Sequence, residues 1–265
     1  MMKFLTPAAI LLTAACAPNV SANDLANSVA DDYDYVLDLY KHFHENPELS
    51  FKEKNTAARL AKELGDLGFD VTERFGDDWV KKKVMEDEGE IREDVGGYGV
   101  VAVMKNGDGP TVMLRADMDA LPLEEKTGLP YESQAMGQTH TGKDAPVMHA
   151  CAHDSHVAIL IGAARQLVER KDEWSGTLVL IGQPAEEIGL GAKAMLEDGL
   201  FEKFPRPNMS WRPIHPAGHL RAKLHIHRAM PSPMSIASTL RLKALARMGP
   251  RRIWAKTPSL LGRKL

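Results

Sequence analysis

The chain has 265 residues, 44% of them hydrophobic, which is enough for the core of one domain, alone or with an appendage. Its net charge of -3 hides a division, because all 36 acidic residues lie at or before Glu202 while residues 209–265 hold 12 of the 33 basic ones. Up to Asn208 the net charge is therefore -15. A basic arm is typical of proteins that bind nucleic acid or membranes. Here its sequence has a different explanation, given below, and we expect neither partner.

The first 22 residues have the pattern of a secretory signal. Lys3 supplies a short positive region, and residues 4–15 form an apolar region too short to span a bilayer. Val20-Ser21-Ala22 fits a cleavage site, which predicts a signal peptide over residues 1–22 and a secreted or periplasmic protein. The alternatives are a lipoprotein anchor at Cys16 and a buried N-terminal helix. After cleavage Cys151 is the one cysteine left, either a small buried residue or a ligand.

In chain order, the first predicted elements are two helices and a strand. Residues 33–44 carry apolar side chains at helical spacing. A second helix is predicted over residues 56–67, with Asn55 or Thr56 as its N-cap. A strand is predicted over residues 69–72.

The middle of the chain alternates strands with helices. Strands are predicted over residues 99–104 and 111–115, and the Asn-Gly-Asp-Gly-Pro sequence between them favours a β-hairpin. Residues 177–181 form an uninterrupted apolar run, which predicts a central strand buried on both faces. Helices are predicted over residues 155–170 and 191–197. This alternation predicts an α/β domain of three layers.

Three polar clusters lie at predicted strand ends or in loops, where catalytic groups are usually found. Asp117 and Asp119 follow one strand, a histidine-rich segment at residues 148–156 precedes the long helix, and Glu186 and Glu187 follow the apolar strand. Singly, each cluster has a structural explanation as turn formers, as a helix cap by Asp154 or Ser155, or as acids in a first helical turn. Together, cysteine, histidine and carboxylate are the groups that bind divalent transition metals. Cys151 and His153, two residues apart, can point at one ion.

Four motifs resemble the metal-dependent amidohydrolases, a group that includes aminoacylases, hippurate hydrolases and indole-acetyl-amino-acid hydrolases. They are HENPELSF at residues 44–51, RADMDALP at 115–122, MHACAHD at 148–154 and GQPAEE at 182–187. The motifs occur in the expected order, and the similarity covers roughly residues 33–207. The resemblance implies a three-layer, zinc-peptidase-like catalytic domain over residues 31–208. That domain would be incomplete, and the family's lid domain would be missing.

The resemblance also implies the chemistry. Cys151, His153 and Glu187 would bind a pair of Mn or Zn ions, Glu186 would be the general base, and Asp119 would orient the site. The implied reaction is metal-assisted hydrolysis of the amide bond of N-acyl or N-aroyl amino acids, or of small peptides. Intact members of the family are expected to form homodimers through the lid domain.

The sequence departs from the family pattern in two places before residue 208. Ala152 stands where the family has glycine between the cysteine and the histidine. If that position has a positive φ, its Cβ would strain the loop by about 1 kcal/mol or more. Residues 77–94, rich in charge and poor in apolar side chains, have the composition of a surface insertion or a short surface helix without a site.

The segment 209–265 has no recognisable counterpart of the family's next strand with its ligand histidine, of the lid domain, or of the final ligand histidine. Frameshifts explain its composition. The back-translated codons of residues 208–216, read from each third base, permit Tyr-Val-Leu-Ala-x-His-x-Ser, which matches the missing strand. Those of residues 249–254, read from each second base, permit Gly-His-Gly-Ala-Tyr, a lid motif. We therefore predict a non-homologous tail that proteolysis removes from about Met209.

Two interpretations of function stay open at this point. The chain is an amidohydrolase, or it is a non-catalytic fragment that at most binds metal weakly. The missing histidines favour the second for this chain. A thiol enzyme that uses Cys151 with His153 is disfavoured, because such a pair is usually assembled from distant parts of a sequence.

Overall fold

The computed structural model describes residues 22–90, 92–213 and 225–228. Residues 1–21 of the predicted signal peptide, with the alternative anchor at Cys16, and most of the predicted tail lie outside the described residues. Within those residues, no helix combines the length and apolar character needed to cross a bilayer.

The described residues form seven α-helices, eight strands and one short 3-10 helix. In chain order they are α1 (Ala22–Asp31), α2 (Tyr33–Glu45), α3 (Lys54–Asp66), β1 (Asp70–Gly76), α4 (Asp77–Glu88), β2 (Tyr98–Asn106), β3 (Thr111–Asp117), β4 (Met136–Gln138), β5 (Asp144–Pro146), α5 (His153–Glu169), the 3-10 helix (Lys171–Glu173), β6 (Gly176–Gln183), α6 (Gly191–Glu197), α7 (Leu200–Lys203), β7 (Met209–Arg212) and β8 (His225–Arg228).

Six of the strands form one mixed sheet in the order β1-β2-β6-β3-β7-β8, and β4 and β5 form a separate ribbon. β6 pairs antiparallel with β2 and parallel with β3. The prediction of a central strand over residues 177–181 is confirmed, because β6 lies between β2 and β3 and its residues 178–183 are all buried. Such a position requires apolar side chains on both faces.

Helices cover both faces of this sheet. On one face α3 and α5 pack against the sheet, and their Leu60 and Ile161 share a hydrophobic cluster with Val100 and Leu180. α2 packs against α5 and adds Leu39 to this cluster. On the other face α6 and α7 pack against Val101 and Val179. The strands supply both layers because successive side chains point to opposite faces. The predicted three-layer α/β architecture is confirmed.

The predicted hairpin between β2 and β3 is wrong. The two strands do not pair with each other, since β6 is inserted between them. The connecting turn crosses the start of β6 instead, where Pro110 O accepts a hydrogen bond from Thr177 N at 3.0 Å and Asn106 Nδ2 donates to Trp174 O at 2.6 Å. The Asn-Gly-Asp-Gly sequence predicts the turn correctly, but it does not indicate which strand β2 and β3 pair with.

The predicted N-cap of α3 is also wrong. The helix begins at Lys54, with Glu53 at the N-cap position, and neither Asn55 nor Thr56 caps it. Their amides are instead bound from outside the helix, by the carboxylate of Glu48 at 3.0 and 2.7 Å. A negative group beside the first turn also complements the positive end of the helix dipole.

The charged segment after β1 is a packed helix and not only a solvated insertion. α4 begins with Asp77, which is buried and accepts the amide N–H of Gly97 at 3.0 Å. Val80 of α4 is buried against Ala194 of α6. The rest of α4 carries exposed ion pairs between residues four apart, as expected of a surface helix.

The sheet continues past the predicted boundary at Asn208. β7 pairs parallel with β3 through Val112, Met113 and Leu114, and β8 pairs antiparallel with β7. A strand here satisfies backbone groups at the edge of β3 that would otherwise have no partner in the sheet. The origin of residues 209–265 stays a prediction.

Candidate metal centre

The sheet brings the predicted site residues together at one edge. β3 and β6 are parallel neighbours, with Asp117 opposite Gln183, so the segments that follow them leave the sheet side by side. The segment that opens α5 lies against the same edge, because Met148 and Leu121 exchange backbone hydrogen bonds. Ligands of open α/β sheets bind at this carboxyl edge.

Asp119 joins the three segments. Its carboxylate accepts the backbone N–H groups of Glu186 and Glu187 at 2.9 and 3.0 Å and the hydroxyl of Ser50 at 2.6 Å. Its carbonyl oxygen lies 2.7 Å from His153 Nδ1. Burial alone would raise the pKa of Asp119, but the hydrogen bonds from His153, Ser50 and the two amides lower it below its ordinary value. Asp119 therefore stays ionised and holds both glutamates in place.

His153 faces three carboxylates. The bond from Nδ1 to the Asp119 carbonyl fixes the ring and turns Nε2 towards the site. Nε2 lies 3.7, 3.9 and 3.8 Å from carboxylate oxygens of Asp117, Glu186 and Glu187. Burial opposes the protonated ring, but Asp119 and Asp117 prevail and raise the pKa of His153 to about 9. The position favours a cation, which is a proton when no metal is bound.

Cys151, His153 and Glu187 form a ligand set. Their sulfur, nitrogen and oxygen atoms all lie within 4.8 Å of one another. The residue Cys151 is exposed, so the alternative of a small buried residue is wrong. Partial burial and the Glu187 carboxylate raise the pKa of this thiol to about 12, so it holds its proton at neutral pH.

Glu187 gives the clearest sign that these residues fit a metal ion. Its Oε1 is buried, and no hydrogen-bond partner for it is present among the residues that the structure describes. Thiolate, imidazole and carboxylate are the ligands of Zn, and atoms that share one ion at about 2.0–2.3 Å are about 3–4 Å apart. The spacing of 3.8 Å between Glu187 Oε1 and His153 Nε2 agrees with this.

A second group lies on the buried side of His153. Asp117, His153 and His156 also bring their ligand atoms within 4.8 Å of one another, and all three are buried. His156 Nδ1 lies 2.5 Å from Asp117 Oδ1. From the sequence, Asp117 was predicted only as a carboxylate at the end of a strand. The spacing of His153 and His156, three residues apart on one helix, was a signal that both face the same side.

Glu186, the predicted general base, lies on the open side of the cluster. Its side chain is 36% exposed, whereas that of Glu187 is 18% exposed, and its Oε2 is 3.9 Å from His153 Nε2. The structure thus places Glu186, Glu187, Cys151, His153 and Asp119 together.

The loop that carries Cys151 is strained as predicted. Ala152 has φ 67° and ψ 25°, a left-handed conformation that glycine adopts readily and alanine does not. It occupies the N-cap position of α5, so neither Asp154 nor Ser155 caps that helix. A second alanine, Ala185, has φ 48° directly before the two glutamates.

Two features of the site were not predicted. His44 lies buried between Asp154 and Glu125, with Nδ1 2.7 Å from one carboxylate and Nε2 2.9 Å from the other. Glu53 is fully buried, and its Oε1 accepts the N–H of Ala185 at 2.7 Å. The partners are far apart in the sequence, so no local pattern indicates either contact.

Comparison with known proteins identifies the family. The model of peptidase family M20/M25/M40 matches residues 113–244. The chain belongs to this family. The match includes the carboxylates after β3, the histidine-rich loop and the glutamate pair. It also extends past Asn208, into the segment predicted to be unrelated.

Relatives in this family differ in their named substrates. The chain is 43% identical to the hippurate hydrolase of Campylobacter jejuni over 177 residues, which cover 64% of this chain and 38% of that protein. It is 42% identical to thermostable carboxypeptidase 2 of Saccharolobus solfataricus over 179 residues, or 67% of this chain and 39% of that protein. The chain thus spans about two fifths of the length of these curated relatives.

A solved structure of the family supports the fold. A dinuclear metal-binding peptidase of family M20 from Bacillus subtilis is 33% identical, with a TM-score of 0.51, over 65% of this chain and 41% of that one. Its name states that it binds two metal ions. For this chain, the ligand set around His153 is the observation that bears on metal binding.

Proposed function

We propose that this protein is a metal-dependent amidohydrolase that cleaves the amide bond of N-acyl or N-aroyl amino acids, or of small peptides. Family membership supports the reaction class. The hippurate hydrolase and the carboxypeptidase among its relatives both act, by their names, on acylated amino acids or peptides. The observation that carries the proposal is the position of His153. Its Nδ1 bonds the Asp119 carbonyl oxygen, and its Nε2 faces three carboxylates and lies near the Cys151 thiol.

Each of the five residues has a proposed role. Cys151, His153 and Glu187 hold divalent metal, a Mn or Zn pair in the complete site. When bound, the metal polarises the substrate carbonyl and makes water acidic near neutral pH. Glu186, the more exposed glutamate, takes a proton from water and passes it to the leaving amine. Asp119 holds the amides of both glutamates and the ring of His153, so it orients base and ligands together.

A second candidate function is metal binding without turnover. Among residues 22–90, 92–213 and 225–228, the cluster of Cys151, His153 and Glu187 supplies one sulfur, one nitrogen and one carboxylate oxygen as ligands. A pair of ions needs more ligands than these three supply. We propose that further ligands come from parts of the protein outside this cluster, and a chain without them would bind metal weakly.

The test begins with metal binding by the 265-residue chain. We expect Zn²⁺ titration calorimetry to detect binding that His153→Ala and Glu187→Gln weaken by more than the ~10–100-fold typical of losing an outer partner. The matched controls are His42→Ala and Glu197→Gln, since both residues are exposed and lie outside the cluster. Equal affinity in wild type and His153→Ala would contradict the ligand assignment.

Turnover separates the two functions. Hippurate and N-acetyl-methionine serve as substrates, with Zn²⁺ or Mn²⁺ supplied. In an active protein we expect Glu186→Gln to keep its metal and to lose ~10²–10⁴ in rate, the usual contribution of a general base. Metal binding with no turnover in the wild type would favour the second function. Unchanged turnover in Glu186→Gln would exclude this residue as the base.

A further inference from the structure

The turn that presents the two glutamates is held by carboxyl groups from two other parts of the chain. Three successive amides, those of Ala185, Glu186 and Glu187, donate to carboxyl oxygens at 2.7, 2.9 and 3.0 Å. Glu53 accepts the first, and Asp119 accepts the other two. Successive backbone N–H groups around a left-handed residue form a concave site for anions. Here the chain fills that site with its own carboxyl groups.

The backbone of Ala185 needs such support. With φ 48° it lies in a region that alanine avoids, and it is fully buried. On its other side the start of α6 fits closely, since a Cβ at Gly191 would lie 1.6 Å from Pro184 O. The carbonyl of Ala185 is also bound, by the amides of Leu190 and Gly191 at 3.3 and 3.1 Å. A strained residue persists only where its surroundings determine it in this way.

Glu53 is an unusual residue to find at this position. It is 0% exposed, and no Lys, Arg or His of the described ranges forms an ion pair with it. Its second oxygen, Oε2, is buried without a hydrogen-bond partner among the same residues. A buried carboxyl without a counter-charge is costly unless it is protonated.

We propose that Glu53 is a positioning residue, whose carboxyl oxygen holds the Ala185 amide and thereby fixes the turn that presents Glu186 and Glu187 to the metal. This inference rests on the proposed function for the identity of the site. Burial and the neighbouring Asp119 raise the pKa of Glu53 well above its ordinary value, which favours the neutral acid. A glutamine offers the same acceptor oxygen without charge, whereas a leucine fills the space and accepts nothing.

The experiment compares Glu53→Gln with Glu53→Leu in the full chain. Zn²⁺ affinity is measured by calorimetry, and protection of the Ala185 amide by hydrogen exchange in the metal-free protein. We expect Glu53→Gln to behave like the wild type. Glu53→Leu should lose protection at residues 183–191 and weaken Zn²⁺ binding ~10–100-fold. The control is Glu63→Leu, because Glu63 is a buried acid of α3, the helix that Glu53 precedes, and it bonds Arg59 and not the turn. It should leave Zn²⁺ affinity unchanged.

A rescue variant tests the cause. Glycine adopts φ 48° without strain, so Ala185→Gly combined with Glu53→Leu should recover most of the lost Zn²⁺ affinity. If Glu53→Leu alone does not fold, this double variant replaces it, and its residue-185 amide should still exchange faster than in the wild type.

Three results would overturn the proposal: a folded leucine variant with wild-type protection, a glutamine variant as weak as leucine, or a double variant with no recovery. A wild-type chain that binds no Zn²⁺ would contradict the proposed function instead. Hydrogen exchange of the Ala185 amide would still test the role of Glu53 in that case.

Discussion

Two clusters of charged side chains flank the start of α5, and they differ in how their charges meet. His44 lies between Asp154 and Glu125 at hydrogen-bond distances of 2.7 and 2.9 Å. Asp154 is the next residue after His153, yet His153 Nε2 stands 3.7–3.9 Å from the carboxylates that it faces. The first cluster is closed. The second leaves a gap between its charges.

The difference in distance indicates a difference in role. Charges that meet at hydrogen-bond distance satisfy each other, and a buried cluster of this kind positions the chain segments that carry it. His44 connects α2, the loop at Glu125 and the first turn of α5. Ligand atoms 3–4 Å apart leave room for one ion bound to several of them, which agrees with a metal centre at His153. The start of α5 therefore takes part in a structural cluster through Asp154 and in a binding site through His153.

The largest effect is expected from breaking the closed cluster. His44→Ala leaves the buried carboxylates of Asp154 and Glu125 without the counter-charge that they share. Removing one partner of a buried ion pair typically costs ~3–5 kcal/mol, and we expect a loss of this size in the free energy of unfolding, measured with urea on the metal-free chain. His42→Ala is the control, because His42 is exposed on the same helix, and its effect should stay within ~0.5 kcal/mol. Equal losses of unfolding free energy in both variants would contradict the structural role of the His44 cluster.

The same cluster predicts a dependence on pH. The hydrogen bond to Asp154, together with that to Glu125, raises the pKa of His44 from 6.5 to about 9. The folded state therefore binds this proton more tightly than the unfolded state. Its contribution is complete below pH 6.5, decreases as pH rises, and is lost above about pH 9.

The measurement is the difference in unfolding free energy between wild type and His44→Ala from pH 6 to 10. The pKa of His44 shifts from 6.5 to about 9, and each pKa unit corresponds to about 1.4 kcal/mol. We therefore expect the difference in unfolding free energy to decrease by an amount on the order of 3 kcal/mol over this pH range. Taking the difference removes the titration of groups that both proteins share, such as His153 and Cys151. A difference that stays constant over this range would show that His44 is not held as a cation.

The sequence predicted elements whose cause is local. The helix over residues 191–197 was predicted at its observed bounds, and the apolar run at residues 177–181 identified the central strand. The hairpin failed because β2 pairs with β6, which is some 70 residues further along the chain. The cap of α3 failed because Glu48, outside the helix, binds its first amides. In both cases the prediction was wrong because the interacting residue lies outside the short stretch of sequence on which the prediction was based.

The site divides in the same way. Cys151, His153, Glu186 and Glu187 stand in motifs that pair residue types with metal chemistry, so sequence alone proposes them. Glu53 stands between Lys52 and Lys54 and has the local pattern of a surface charge, although it is fully buried. Its partner, Ala185, is 132 residues away. Because a backbone amide is present at almost every position, the sequence around Glu53 gives no sign of which distant amide its carboxyl group binds.

The smallest effect is expected within the second cluster, where Ala152 joins the ligand Cys151 to the ligand His153. Ala152 has φ 67°, and a non-glycine residue in this conformation costs about 1 kcal/mol or more. Ala152→Gly removes the Cβ and relieves this strain, so we expect the metal-free chain to gain up to about 1 kcal/mol in unfolding free energy. Ala163→Gly is the matched control, since Ala163 lies in the interior of α5, the helix that Ala152 precedes, where glycine costs about 1 kcal/mol. The same substitution should therefore have opposite signs eleven positions apart. A loss of stability in both variants would show that the loop is held by contacts of the Ala152 methyl group, and that its conformation carries no strain.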